Sequence, residues 1–171
     1  HLTDDGLVTQ YLPMHKLLQK DYAGIIATFT SVFENTTVWL GHTHTILVGT
    51  KKPLRIDFVD FKAKAAMIND QYLYNNPYSL ASFLIFDSNS ARQFSSASEI
   101  CRDDRSYLDF FDFDSFLPEN WGYNAENILK SITNSEVFYN VEDPQMLERF
   151  RASTKIVLQA LIQSMSGNPR G

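Results

Sequence analysis

Residues Leu80–Phe86 form a near-continuous apolar run, and four polar residues, Asp87–Ser90, follow it at once. A short apolar run of this kind predicts a buried strand. Asp, Ser and Asn favour a turn, because their side chains hydrogen-bond nearby backbone groups. We therefore expect a turn at Asp87–Ser90 and a second, polar strand over residues 91–98. Amphipathic helical segments lie on both sides, so the sequence predicts an α+β fold with an antiparallel sheet flanked by helices.

Composition limits the classes of partner. The 171 residues suit one domain, and 44% of them are hydrophobic, which is typical of a folding chain. The formal net charge of −5 repels phosphate backbones, so no nucleic-acid partner is expected. No apolar run approaches the roughly 20 residues of a membrane span. Because the chain begins at His1, we expect a fragment or a processed form whose membrane anchor lies outside it.

Apolar and aromatic residues recur at alternating steps of three and four near the N-terminus, which predicts a long N-terminal helix. Pro13 interrupts this stripe, so the regular helix is expected to start near Met14. The stripe either packs on its own domain or forms the seam of a homodimer. The short heptad run favours packing within the domain. The stripe comprises Val8, Tyr11, His15, Leu18, Tyr22, Ile25, Phe29 and Val32.

The remaining elements divide the chain into three parts. Residues 1–50 are assigned to an N-terminal helical region, although 36–50 are rich in β-branched residues and a strand is the alternative there. Residues 51–142 are assigned to a mixed α/β core, with a second helix over 57–74 and a short helix followed by a strand over 124–139. Asp143 and Pro144 are typical of a helix start, and they predict a C-terminal amphipathic helix over 143–166.

Two pairs of residues are candidates for metal or acid–base chemistry. His42 and His44 would share one face of a strand and so could meet a metal ion, but two ligands fall short of a tetrahedral set. Asp112 and Asp114 could hold a cation or act as an acid/base pair, but the glycine and glutamate of a calcium-binding loop are missing. We therefore expect exposed histidines, a solvated acidic face, and neither a metal ion nor a cofactor.

A third group of residues is a candidate ligand site. Arg105 could bind a carboxylate with its planar guanidinium, and Tyr107 could add a hydroxyl. Trp121 and Tyr123 could supply the walls of an aromatic pocket. The alternative for Arg105 is local ion pairing with the neighbouring aspartates.

Motifs of the common enzyme classes are missing. The sequence contains no Gly-x-Ser-x-Gly, no phosphate-binding loop, no Gly-x-Gly-x-x-Gly and no His-Glu-x-x-His. Cys101 has no histidine near it in sequence that could act as its base. We therefore expect that this chain is not an enzyme.

Two short motifs resemble those of the Cache (PAS-like) extracytoplasmic domains of bacterial receptors. The segment from Ala81 to Ser90 is similar to the strand and Asp-Asn-Gly-like turn of that family, with Ser90 where the family usually has Gly. The segment Asp104-Arg105-Ser106-Tyr107 resembles the family's Asp-Arg-x-Tyr-Phe, with Leu108 in place of Phe. The family's Arg followed by Trp-Tyr, which binds amino acids, is not reproduced.

The resemblance implies a periplasmic, ligand-sensing or signal-relaying domain of an inner-membrane receptor. The receptor would be a histidine kinase, a diguanylate cyclase or a chemoreceptor, its ligand would be a small molecule, and the N-terminal helix could form a homodimer. Two alternatives stay open. One is a periplasmic interaction or structural module of an envelope complex, with an exposed apolar patch on the stripe from Leu18 to Val32. The other is a small-substrate enzyme using Asp112 and Asp114.

Overall fold

A four-stranded antiparallel sheet with helices packed against it is the main feature of the fold. The computed structural model describes residues 2–41, 43–68, 76–102, 113–117, 119–133 and 135–166. In chain order the elements are β1 (Leu7–Pro13), α1 (Gln19–Val32), β2 (Asn35–Leu40), β3 (His44–Thr50), β4 (Ile56–Asp57), α2 (Phe58–Ala65), α3 (Pro77–Ser82), β5 (Leu84–Phe86), α4 (Ser88–Ser95), a 3₁₀ turn (Phe113–Phe116), α5 (Glu119–Ser131), β6 (Phe138–Tyr139) and α6 (Pro144–Ser166). The main sheet has four strands in the order β1-β3-β2-β5, and β4 and β6 form a small parallel pair.

The two faces of the main sheet have different neighbours. Val38 and Leu47 lie opposite each other on the inner face and are buried with helix α1. Trp39 and Ile46 lie opposite each other on the outer face, because side chains alternate along a strand. Residues 35–40 and 44–50 are thus strands. Their β-branched composition, which is the basis of the strand alternative, predicts these residues better than their assignment to the helical region does.

Helix α1 covers the inner face of the sheet. Tyr22, Ile26 and Phe29 are buried in the core, and the Tyr22 hydroxyl lies 2.7 Å from Thr45 Oγ1 of β3. The part of the apolar stripe at Tyr22 and Phe29 therefore packs within its own chain, as the short heptad run favours, whereas Val32 at the end of α1 is 69% exposed. A homodimer through this face would have to displace the sheet.

The expected long N-terminal helix is wrong. Residues 7–13 form a strand, and α1 begins only at Gln19 and is 14 residues long. Pro13 cannot extend a helix, and Lys16 has a positive φ of 60° that interrupts regular backbone. Pairing with β3 decides the conformation of residues 7–13, and it places Val8 and Tyr11 on opposite faces of the sheet. The assignment of residues 1–50 to a helical region is corrected with it.

The expected strand at Leu80–Phe86 is only half right. Asn76 Oδ1 accepts hydrogen bonds from the N–H groups of Tyr78 and Ser79 at 3.0 and 3.1 Å, and Pro77 occupies the first helical position. This cap starts helix α3, so only the last three residues of the run are extended. The side chain of the capping residue therefore outweighs the apolar run as a determinant of local structure.

The polar residues Asp87–Ser90 start a helix and do not turn the chain into a second strand. Asp87 Oδ1 accepts from the Ser90 N–H at 2.9 Å, and Ser90 Oγ accepts from the Asp87 N–H at 2.9 Å. This reciprocal pair is a capping box, and helix α4 follows it over Ser88–Ser95. The polar strand expected over 91–98 is thus wrong.

The C-terminal half agrees better with the sequence. Asp143 Oδ1 accepts from the Met146 N–H at 2.9 Å at the start of α6, and α5 followed by β6 matches the helix and strand expected over 124–139. The second helix is shorter than expected: α2 begins after its cap, Asp57, and ends at Ala65. Residues 69–74 of that prediction lie outside the described part of the chain.

Two apolar clusters form the interior. The larger one joins α1, the inner face of the sheet and α5, and the smaller one contains Phe58, Phe138 and Leu147. The fold is thus mixed α+β, with an antiparallel sheet flanked by helices. None of the described helices is both long enough and apolar enough to cross a membrane.

Candidate functional site

A groove of about 660 Å³ lies between the outer face of the main sheet and helices α3 and α6. Strands β2 and β3 form its floor, and α3, α6 and Phe61 of α2 form its walls. The described residues that line it are Trp39, Leu40, Gly41, His44, Ile46, Val48, Phe61, Ser79, Leu80, Ser82, Phe83, Phe150, Ser153, Thr154, Val157, Leu158 and Leu161.

The lining carries hydroxyls and one imidazole but no formal charge. No Asp, Glu, Lys or Arg is among the described residues that line the groove. Ser82 Oγ donates to the Ser79 carbonyl at 2.6 Å and lies 2.7 Å from Thr154 Oγ1. Because the Ser82 proton is directed to Ser79, Thr154 is the donor to Ser82. The two hydroxyls thus link α3 to α6 across one wall of the groove.

The floor presents mainly carbon atoms. Trp39 Nε1 donates to Thr37 Oγ1 at 3.0 Å, so the polar atom of the indole is already bonded. The ring of His44 lies against that of Tyr11, with centroids 4.7 Å apart. A side chain at Gly41 would come within 2.4 Å of His44 Nε2, so the strand end at position 41 accommodates only glycine while the imidazole stays in place.

The rim of the groove exposes large apolar side chains. Ile46, Val157 and Leu161 line the groove and are still 37%, 58% and 38% exposed. Ile156 is 64% exposed on the adjacent surface of α6. Contiguous exposed apolar surface of this kind marks binding grooves and interaction sites in soluble domains.

Four of the candidate residues from the sequence lie outside the described residues: Arg105, Tyr107, Asp112 and His42. Trp121 is buried in the larger core cluster, whereas Tyr123 is exposed. The two lie about 200° apart around helix α5, because successive helical residues turn by about 100°. They therefore do not form two walls of one pocket, and neither lines the groove.

The two described members of the candidate metal and acid–base pairs lie in different places. His44 lies on the floor, and Asp114 is an exposed residue whose backbone carbonyl accepts from Asn120 Nδ2 at 2.6 Å. In the ranges that the structure describes, no group of three or more His, Cys, Asp or Glu is placed to hold a metal ion.

Sequence reasoning missed the groove because its parts are far apart in the chain. In the sequence, Val157 and Leu161 continue an apolar stripe along the predicted C-terminal helix, which indicates packing and not a groove. One signal was available: Ile156 and Val157 are adjacent, so α6 carries more apolar residues than a single buried face requires.

Comparison with known proteins adds no relative. No family model, no curated protein and no solved structure matches this chain.

Proposed function

We propose that this domain is a sensor or signal-relay module that binds a mainly apolar, uncharged small molecule in the groove between the sheet and helix α6. The observation that carries the proposal is the groove itself, whose described lining is apolar and uncharged. Its volume of about 660 Å³ falls within the range of small-molecule sites.

The lining selects the chemical class of the ligand. A charged group would lose its hydration in the groove without meeting an opposite charge among the described residues, which costs several kcal/mol. Apolar carbons gain about 25 cal/mol for each Å² that they remove from water. A molecule with a long or polycyclic hydrocarbon part, and at most a few hydrogen-bonding groups for Thr154 or His44, fits both conditions.

Helix α6 is the element that would relay binding. It supplies Phe150, Thr154 and Val157 to one wall, and it continues for 23 residues in total, about 34 Å. A ligand held between the sheet and α6 contacts both and therefore favours the arrangements of α6 that close on it. Such a differential affinity shifts the population of helix positions.

The receptor context of the proposal rests on the resemblance to Cache domains at Ala81–Ser90 and Asp104–Tyr107. In this context the domain is the extracytoplasmic part of a bacterial inner-membrane receptor, with its output domain elsewhere in the parent protein. Arg105 and Tyr107 remain a prediction for a carboxylate-binding position. The sequence of the parent gene tests this context, since a parent without a membrane span contradicts it.

A protein-interaction module is the second candidate. The apolar stripe from Leu18 to Val32 does not supply the exposed patch expected for it, because Tyr22 and Phe29 are buried on the sheet. The rim at Val157 and Leu161 is the observation that favours it, since a partner's apolar side chains could enter the same groove. An enzyme using Asp112 and Asp114 has no such support.

Two adjacent residues of α6 provide the experiment. Val157 lines the groove and Ile156 does not, and both are more than half exposed, so a lysine at either position leaves the core intact. We expect Val157→Lys to weaken binding of the neutral dye Nile red at least about tenfold, because the introduced charge is desolvated by the ligand. Ile156→Lys should bind as the wild type does. Fluorescence titration measures both affinities, and the dye should raise the melting temperature of the wild type and of Ile156→Lys only.

Equal loss of dye binding in both variants, or no saturable binding to the wild type, contradicts the proposed ligand site. If the wild type shows no saturable binding of the dye, a groove that binds a protein partner becomes the better hypothesis.

A further inference from the structure

Strand β1 exposes one of its two hydrogen-bonding edges. The Met14 N–H donates to the Thr43 carbonyl, and in an antiparallel pair the direction of the backbone groups alternates along each strand. The even-numbered residues of β1, from Val8 to Leu12, therefore bond to β3. The Gly41 N–H donates to the His44 carbonyl, so the even-numbered residues of β3 bond to β2, which agrees with the same alternation. The N–H and C=O groups of Leu7, Thr9 and Tyr11 consequently point away from the sheet.

This edge carries little of the usual protection against pairing. β1 is the last strand of the sheet on its side, and no described residue is paired with its outer edge. Proteins commonly protect such edges with charged residues, above all lysine. Leu7–Pro13 contains no charged residue, and Leu7 and Tyr11 are 58% and 56% exposed. Pro13 blocks only the final position.

The edge is complementary to itself. In a two-fold antiparallel pairing centred on Thr9, Thr9 faces Thr9 of a second copy, and Leu7 faces the second copy's Tyr11. All three positions are those whose backbone groups point outward, so the pairing forms about six backbone hydrogen bonds. Thr–Thr pairs are favourable across antiparallel strands, and the facing Leu7 and Tyr11 would remove apolar surface from water. Asp4 and Asp5 lie before the paired segment, and they contact Lys51 and Lys52 at 3.5 and 3.8 Å.

We propose that this chain forms a homodimer through its β1 edges, with the two-fold axis at Thr9. The axis is perpendicular to the sheet, so the two four-stranded sheets join into one and both grooves lie on the same side of it. None of the three facing residues Leu7, Thr9 and Tyr11 lines the groove, so the dimer does not rest on the ligand proposed above, and either proposal can fail without the other.

Hydrogen exchange of individual amides tests the pairing directly. We expect the N–H groups of Leu7, Thr9 and Tyr11 to gain protection as the protein concentration rises. The N–H groups of Val8, Gln10 and Leu12 should be protected at every concentration, because they bond to β3. Sedimentation equilibrium over the same concentrations measures the mass. A monomer at all concentrations, or a dimer without this alternation of protection, overturns the proposal.

Two lysine variants, one at the two-fold axis and one next to it, test the position of the interface. Thr9→Lys places two like charges opposite each other in the dimer, and it should weaken the dimer by about tenfold or more. Gln10→Lys, which is also exposed but whose backbone bonds to β3, should weaken it much less. An equimolar mixture of Thr9→Lys and Thr9→Glu should form heterodimers, which native mass spectrometry separates from homodimers. Equal effects of Thr9→Lys and Gln10→Lys, together with no heterodimer, place the interface elsewhere and refute the β1 pairing.

Discussion

Tyr22 is enclosed completely between helix α1 and the main sheet. Its side chain has no exposed surface, and its hydroxyl lies 2.7 Å from Thr45 Oγ1. Burial raises the pKa of this phenol well above its ordinary value of 10.0, because the phenolate would lose its hydration. The bond with Thr45 opposes this rise in the pKa only in part.

The buried phenol makes the stability of the fold sensitive to alkaline pH. Above pH 10 the unfolded chain releases the Tyr22 proton and the folded chain retains it, so the free energy of unfolding falls as the pH rises. One such group contributes a slope of at most about 1.4 kcal/mol per pH unit. We expect Tyr22→Phe to lose about 1 kcal/mol at neutral pH, through the missing hydrogen bond, and to show a shallower alkaline loss of stability.

Urea unfolding at neutral pH measures the first quantity, and urea unfolding at several values between about pH 9 and about pH 11 measures the alkaline slope. Tyr123→Phe is the control, because it removes an exposed phenol and leaves Tyr22 in place. An alkaline slope that is the same in Tyr22→Phe and in the wild type would show that the buried phenol does not govern it.

At the scale of elements, side-chain caps determine where helices begin. Asp87 accepts from the N–H groups of Asn89 and Ser90 at 3.1 and 2.9 Å, and these groups have no partner within the first turn of α4. We expect Asp87→Ala to lower the free energy of unfolding by about 1–2 kcal/mol. Ser88→Ala, at the first helical position, should change it by less than about 0.5 kcal/mol. Thermal or urea denaturation compares the two, and similar losses would contradict the role of the cap.

Elements with local signals were predictable from the sequence. Asp143 and Pro144 fix the start of α6 through groups within three residues of each other, and this start was predicted correctly. The same kind of signal is present at Asn76-Pro77, but the apolar run that follows it predicts a strand, so the local signals disagree over the residues of helix α3.

Elements that depend on distant partners were not predictable in this way. Residues 7–13 become a strand because Leu7–Pro13 pairs with His44–Thr50, and nothing within the first segment specifies that partner. The groove likewise depends on segments that are distant in the chain. Trp39 and Val157 meet only when β2 and α6 have taken their places, so neither segment alone indicates a cavity.

At the scale of the whole molecule, two of the described elements, β5 and α6, contribute buried residues to both core clusters. On β5, Leu84 belongs to the smaller cluster, whereas Ile85 and Phe86 belong to the larger one. On α6, Leu147 belongs to the smaller cluster and Leu158 to the larger one. Loss of either cluster therefore removes packing from elements that the other requires.

The two tryptophans report on the two clusters separately. Trp39 packs edge-on against Phe138 of the smaller cluster, with ring centroids 6.0 Å apart, and Trp121 is buried in the larger cluster. We expect both regions to unfold in one transition. In each of the variants Trp39→Phe and Trp121→Phe, the remaining fluorescence should change together with the helical circular dichroism during urea unfolding. A fluorescence transition that precedes the dichroism in one variant would show that its cluster unfolds independently.

The strand order β1-β3-β2-β5 also sets an order of events during synthesis. β2 and β3 form a hairpin from neighbouring residues, whereas β1 must wait for Thr50, the partner of Leu7, to leave the ribosome. Closing the long connection between β1 and β3 costs more chain entropy than closing the hairpin. Although β1 precedes the other strands of this sheet in the chain, it joins the sheet after the β2–β3 hairpin, and the edge at Thr9 is formed only on a chain whose hairpin is already in place.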